Sequence, residues 1–186
     1  PEIEAVKSRL AEIDLETETE SLPEDLLTFY HPETLQELVA LRVYLENRLK
    51  NGEPDSLDCW IRMVATNRLT GHSSGFFSVY TLPPNQAVSV QSQEKINAKR
   101  EQTPPRRSVR EIITKKSKSL ISKLEKAERK NLAKIADQAQ FLTASCDDTP
   151  ELADNSVALT VTSPPFLDVV DYEAVSYTHL TLPTKN

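Results

Sequence analysis

The sequence predicts an α/β protein in which a large helical segment precedes the beginning of a doubly wound parallel sheet. Apolar residues recur at helical spacing through most of residues 1–139. Residues 157–162 then form an uncharged, β-branched run that is typical of a buried strand. The tetrapeptide Ser163-Pro164-Pro165-Phe166 follows this run directly. Because ligands of doubly wound folds bind beyond the carboxyl ends of the strands, the tetrapeptide stands where a functional site is expected.

The helical segment contains five stretches with helical signals. We predict helices over residues 1–15, 33–51, 56–69, 89–100 and 109–140. Either Asp55 or Ser56 is a favoured N-cap for the third helix. Ser89 and Ser108 are favoured N-caps for the last two.

A loop over residues 71–85 interrupts these helices and contains three aromatic residues. One interpretation is that Phe76, Phe77 and Tyr80 anchor the loop to the core. The other is that the loop contacts a substrate, because loops held on rigid scaffolds often carry function.

The formal net charge of −6 conceals two oppositely charged regions. Residues 1–58 contain fifteen acids and five bases, which gives about −10. Residues 95–134 contain fourteen bases and four acids, which gives about +10. The basic region is therefore compatible with a nucleic-acid partner in spite of the acidic total.

The basic region contains the candidate DNA-binding residues. We predict a basic helix over about residues 95–139, and the basic region falls within it. The expected phosphate contacts are Arg106, Arg107, Arg110, Lys115, Lys116 and Lys118. Several cations close together displace the counterions condensed on DNA, which favours binding. The alternative is a solvated lysine-rich helix without a partner.

Beyond residue 139 the pattern changes from a helical period to short apolar runs. Residues 140–144 and 157–162 are predicted strands, and residues 154–156 are the predicted turn before the second strand. Residues 140–174 are thus expected to begin the α/β part of the protein.

The tetrapeptide has the properties that methylation of an exocyclic amine requires. The amine lone pair is delocalised into the base, so the site must accept hydrogen bonds from the NH2 group. The Ser163 hydroxyl and the carbonyl of Ser163 or Pro164 are such acceptors. Pro164 and Pro165 fix φ and remove competing donors, and Phe166 offers a face on which a flipped-out base stacks. The alternative is a proline-rich strand exit with no catalytic role.

Residues 152–172, LADNSVALTVTSPPFLDVVDY, resemble the catalytic segment of the DNA methyltransferases that modify cytosine N4 or adenine N6. The signature of that family is Asp, Asn or Ser followed by Pro-Pro and an aromatic residue, and residues 163–166 match it position by position. The resemblance implies a partial Rossmann-like, S-adenosylmethionine-dependent fold and catalytic roles for Ser163, Pro164, Pro165 and Phe166. A serine in the first position favours cytosine N4 over adenine N6.

The resemblance also implies parts that these residues do not supply. Members of the family have a Gly-rich loop for S-adenosylmethionine, whereas this sequence has three glycines, at positions 52, 71 and 75. Asp147 is the candidate contact to the cofactor adenine. Residues 1–139 correspond to the segment between the cofactor half and the catalytic half. We therefore expect a fragment of a restriction-modification methyltransferase that is inactive by itself.

Residues 175–186 are expected to be foreign to the protein. Residues 175–180 can be back-translated as GTCTCTTATACACATCTG, which resembles a transposase adapter of sequencing libraries. A genuine β-rich tail is the alternative.

Other classes of protein have less support in the sequence. No apolar run approaches the ~18 to 20 residues of a membrane span, so we expect a cytoplasmic protein with no membrane partner. Cys59 and Cys146 lie far apart without a CxxC pattern or a histidine-rich neighbourhood, which argues against a disulfide framework and a metal site. The alternatives that stay open are a non-catalytic nucleic-acid-binding helical module and a methyltransferase acting on an RNA base or a protein amide.

Overall fold

A computed structural model describes residues 1–16, 22–82, 88–136, 138–142, 145 and 148–162. The described residues form six α helices and one short 3-10 helix. The helices are α1 (Ile3–Glu12), α2 (Pro32–Lys50), α3 (Ser56–Thr66), α4 (Val90–Lys99), α5 (Val109–Ile121) and α6 (Lys126–Ala136), and the 3-10 helix is Glu24–Thr28.

Local capping signals explain where three of these helices begin. Asp55 accepts the backbone N–H of Asp58 at 2.9 Å, and the Asp58 carboxylate accepts the N–H of Asp55 at 3.2 Å, which forms a capping box at the start of α3. The Ser89 and Ser108 hydroxyls accept N–H groups of the first turns of α4 and α5 at 3.2 and 3.3 Å. The predicted starts of α3, α4 and α5 are confirmed.

The core lies between α1, α2, α3 and α5: α5 packs against each of the other three, and α1 also packs against α3. Each helix buries one apolar stripe, and the main contributors are Val6, Leu10, Leu35, Leu41, Leu45, Ile61, Val64, Val109 and Ile113. Phe29 and Tyr30 before α2, and Phe77 after α3, are also buried. Removal of each large apolar side chain from water contributes about 1.5–3 kcal/mol, so this stripe pattern is the main source of stability. We call the described residues of 3–121 the helical body.

A charged network fastens α1 to α2 and α3. The Asp58 side chain is 2% exposed and accepts hydrogen bonds from Arg9 at 2.6 Å and Arg48 at 3.0 Å. The Tyr44 hydroxyl lies 3.2 Å from the same carboxylate. Arg9 also binds Asp55 at 2.7 Å, and this contact lowers the pKa of Asp55 to about 2. A buried carboxylate with several charged donors resists separation of these helices.

The predicted doubly wound, Rossmann-like α/β fold is wrong for the part of the chain that the structure describes. Residues 140–142 and 157–162 form no strand. Within the described ranges the one β contact is an isolated parallel bridge between Gly71 and Tyr80. A strand needs a neighbouring strand to bind its N–H and C=O groups, and the amphipathic segments that precede these runs are helical.

The predicted continuous helix over residues 109–140 is interrupted. α5 ends at Ile121 and α6 begins at Lys126. At the break the Arg129 side chain donates to the carbonyl of Ile121 at 2.9 Å, and the Glu128 carboxylate accepts the N–H of Glu125 at 2.8 Å. The second contact satisfies a donor at the beginning of the new helix, so local polar contacts replace the continuous helical hydrogen bonds.

Candidate functional site

The proposed catalytic residues Ser163, Pro164, Pro165 and Phe166 lie outside the described residues, as does Asp147. The described chain reaches residue 162, immediately before them. The predicted turn is present two residues before the apolar run. Asn155 has a φ of +58°, a conformation that asparagine tolerates better than most residues, and the N–H of Ser156 donates to the carbonyl of Ala153 at 3.2 Å.

The apolar run that leads to the tetrapeptide is exposed. Val157 is 56% exposed, Leu159 78% and Val161 86%. Within the described ranges, Thr149 is half-buried and every other residue of 138–162 is exposed. We call these described residues of 138–162 the exposed segment. More than half of the surface of Val157, Leu159 and Val161 is in contact with water, which is the opposite of what a folded core strand shows.

Arg106 and Arg110 fasten α5 and the residues before it to the helical body. Arg106 pairs with Glu33 at 3.0 Å and with Glu37 at 2.6 Å. Arg110 donates to the carbonyls of Leu10 at 2.9 Å and Ile13 at 2.6 Å. Those carbonyls are at the C-terminal end of α1, where a cation satisfies acceptors that the helix leaves unpaired.

Arg107 is also held by contacts within the body. Its N–H donates to the Thr34 hydroxyl at 2.8 Å, and that hydroxyl donates to the Arg107 carbonyl at 2.9 Å. Its guanidinium donates to the carbonyl of Ser74 at 3.1 Å. The three candidate arginines thus have partners inside the protein that a DNA phosphate would have to replace or share.

The three candidate lysines have a different environment. Lys115 and Lys118 are exposed, and Lys116 is half-buried. In the described part of the chain none of the three ammonium groups forms an ion pair, although Glu111 is on the same helix. The exposed bases continue along the chain with Lys123, Lys126, Lys130 and Lys134. Solvated cations of this kind can displace the counterions that are condensed on a polyanion.

We call the described residues 71–82 the aromatic loop. It combines one buried aromatic anchor with two half-buried rings. Phe77 is 0% exposed, which supports the anchoring interpretation for that residue. Phe76 is half-buried and lies under the guanidinium of Arg68, with 4.2 Å from the Arg68 Cζ to the ring centroid. Tyr80 is covered in the same way by Arg100, at 3.7 Å. Sequence patterns gave no signal for either cation–ring pair, because each is formed by segments that only the fold brings together.

Glycine at position 71 is required by the Phe76 ring. A Cβ atom added at Gly71 would lie 2.6 Å from three atoms of that ring, whereas one added at Gly75 would meet only the Ser73 hydroxyl at 3.7 Å. The close approach of backbone and ring fixes the position of Phe76, and through it that of Arg68.

Two classes of site find no support in the described residues. No group of three His, Cys, Asp or Glu side chains there is placed to hold a metal ion. None of the described helices combines the length and apolar character that crossing a membrane requires.

The described residues also do not fit S-adenosylmethionine. The three glycines are at the end of α2 and in the aromatic loop, and none of them lies between a strand and a helix, where a cofactor loop is expected. Comparison of the chain with protein families, with curated proteins and with solved structures gave no significant match.

Proposed function

We propose that this chain carries the amine-methylation loop of a cytoplasmic, S-adenosylmethionine-dependent DNA methyltransferase, with cytosine N4 as the favoured target. The observation that carries the proposal is the tetrapeptide at residues 163–166, which follows a turn and an apolar run in the order of the family's catalytic segment. The turn at Asn155 also supports the proposal, because it stands two residues before the apolar run.

In this proposal the tetrapeptide binds the target amine. The Ser163 hydroxyl and a backbone carbonyl accept hydrogen bonds from the NH2 group, which localises the lone pair on nitrogen. Pro164 and Pro165 keep those acceptors in place, and Phe166 stacks on the base after it has left the duplex. The methyl donor binds to a part of the enzyme that the described residues do not provide.

The helical body is proposed to hold the DNA beside the catalytic half. The lysines of α5, which form no ion pair with any described residue, and the bases that follow them support this role. They equally support the alternative, a nucleic-acid-binding helical module that performs no chemistry. A methyltransferase acting on an RNA base or a protein amide is a further alternative, because the same loop solves the same chemical problem there.

Single-turnover methylation by the intact enzyme that contains this chain tests the proposal. Ser163→Gly is expected to lower the rate by roughly a hundredfold, because it removes a positioned acceptor. Phe166→Ala is expected to lower it by roughly five- to a hundredfold, from the ~1 to 3 kcal/mol of base stacking. Ser156→Gly and Phe141→Ala are the matched controls, with the same chemical changes outside the tetrapeptide.

The methylated nucleoside in the product identifies the target as cytosine N4 or adenine N6. Unchanged rates in both tetrapeptide variants would refute the assignment. For the 186-residue chain alone we expect no methylation and no saturable binding of S-adenosylmethionine by calorimetry. Saturable binding would show that the chain contains a cofactor site.

A further inference from the structure

A groove of about 310 Å³ lies between the aromatic loop and α5. Three cations line it: Arg68 from the end of α3, and Lys115 and Lys116 from α5. Ser74 and Ser119 are also part of the lining. One carboxylate, Glu111, is part of the same lining. The lining therefore contains three basic residues and one acidic residue, and we call the groove the cationic groove.

Among the described residues, Arg68 is held in position without an acidic partner. Its guanidinium stacks on Phe76, and its Nε donates to the carbonyl of Asn67 at 2.6 Å. Within the described ranges it forms no ion pair, and partial burial lowers its pKa. Partial burial removes water from the Arg68 guanidinium, and an anion in the groove would compensate for this lost hydration. Because the guanidinium is already stacked on Phe76, less side-chain entropy is lost when an anion binds.

The surroundings of the groove favour an extended polyanion over a small anion. Further exposed bases follow in the sequence: Lys118 on α5, Lys123 in the break between the helices, and Lys126 and Lys130 on α6. A single phosphate would use only the groove, whereas a nucleic-acid backbone carries charge at regular intervals along its length.

We propose that the cationic groove binds a phosphodiester of duplex DNA, with Arg68, Lys115 and Lys116 as the phosphate contacts. This inference rests on the proposed function for the choice of DNA as the polymer. In this proposal Arg106, Arg107 and Arg110 hold parts of the helical body together rather than bind DNA. Arg68, which is outside the basic region of residues 95–134, is added as a phosphate contact. Contacts of this kind position the duplex and do not read its sequence.

The test is a salt titration of duplex binding by the full chain, followed by fluorescence anisotropy. Lys115→Gln/Lys116→Gln is expected to weaken binding by roughly ten- to a hundredfold near physiological salt and to reduce the slope of log K against log salt by about two. Arg68→Gln is expected to reduce the slope by about one. Duplexes of unrelated sequence should give the same changes. The circular dichroism spectrum shows that each variant is folded.

Lys95→Gln/Lys99→Gln is the matched control, because it removes the same charge from exposed positions on α4. The proposal predicts a clearly smaller change for this variant. If both double variants lost the same amount of duplex affinity, the proposed groove site would be refuted, and binding would reflect diffuse electrostatic attraction. Tighter binding of an RNA duplex that is lost with the same substitutions would overturn the choice of DNA.

The result of the DNA-binding titration does not depend on the methylation activity. Ser163→Gly and Phe166→Ala should leave the salt slope unchanged, so a failed methylation assay leaves the groove standing. Conversely, an active methyltransferase whose duplex binding is insensitive to Arg68, Lys115 and Lys116 would refute the groove alone.

Discussion

Phe77 and Phe141 show how different two regions of this chain are. Phe77 is 0% exposed inside the helical body, and Phe141 is 96% exposed in the exposed segment. The body joins helices that are distant in sequence through apolar packing and the Asp58 network. In the exposed segment, the described backbone hydrogen bonds are local ones such as that from Ser156 to Ala153. The two regions teach that apolar composition alone does not make a core, because the side chains also need a partner surface.

Hydrogen exchange is expected to give the largest contrast between the regions. Buried helical amides of the body open with free energies that approach the global stability, so they should exchange at least a thousandfold more slowly than unprotected amides. Amides of residues 157–162 should exchange near the unprotected rate, since no described backbone hydrogen bond holds them. Mass spectrometry of peptic fragments measures both. Strong protection over residues 157–162 in the isolated chain would contradict this difference.

Truncation of the two phenylalanines should follow the same division. Phe77→Ala is expected to lower the free energy of unfolding by about 3–5 kcal/mol, because it leaves a cavity in the core. Phe141→Ala should change it by less than about 0.5 kcal/mol. Urea denaturation compares them. Similar losses in both variants would mean that the exposed segment packs on the body.

The two loop glycines sharpen the contrast within the body. Gly71→Ala should lower stability by about 1–3 kcal/mol, because the new methyl group collides with the Phe76 ring. Gly75→Ala has ordinary space at 3.7 Å and should have little effect. Thermal unfolding of both variants is the measurement. If Gly71→Ala were as stable as Gly75→Ala, the ring and backbone would not be in close contact.

Acid sensitivity should be located in the body and be the smallest effect. The hydrogen bond from Arg9 lowers the pKa of Asp55 from 3.8 to about 2. Because the folded value is the lower one, the stabilisation is present above about pH 4 and is lost as the pH falls towards 2. Asp55→Asn keeps a favourable N-cap and should remove this part of the pH dependence. Asp154→Asn, in the exposed segment, is the control and should leave the unfolding profile unchanged between these pH values.

Helix starts were predictable because their causes are local. Asp55, Ser89 and Ser108 each bind N–H groups within three residues, so the sequence contains the whole signal. The break between Ile121 and Lys126 has no proline or glycine to mark it. Arg129 and Glu128 hold it through contacts that the apolar period does not reveal.

Contacts between residues that are distant in the sequence could not be predicted from sequence patterns. Arg9 and Asp58 are 49 positions apart, and nothing in either neighbourhood indicates that they pair. The same holds for Arg106 and Glu37, which the fold brings within 2.6 Å although they lie far apart in the sequence. The strand prediction for residues 157–162 was wrong in the described chain for a related reason. Their composition indicates a preference for β structure, but it does not show whether a neighbouring strand is present.

The exposed apolar run also has a consequence for handling the chain. Residues 157–162, VALTVT, are six residues of high β propensity without charge, proline or glycine. Such a segment with free N–H and C=O groups is a template for pairing with another copy of itself. The isolated chain should therefore aggregate with increasing concentration through this run, and Val161→Lys should raise its solubility without changing the unfolding of the helical body.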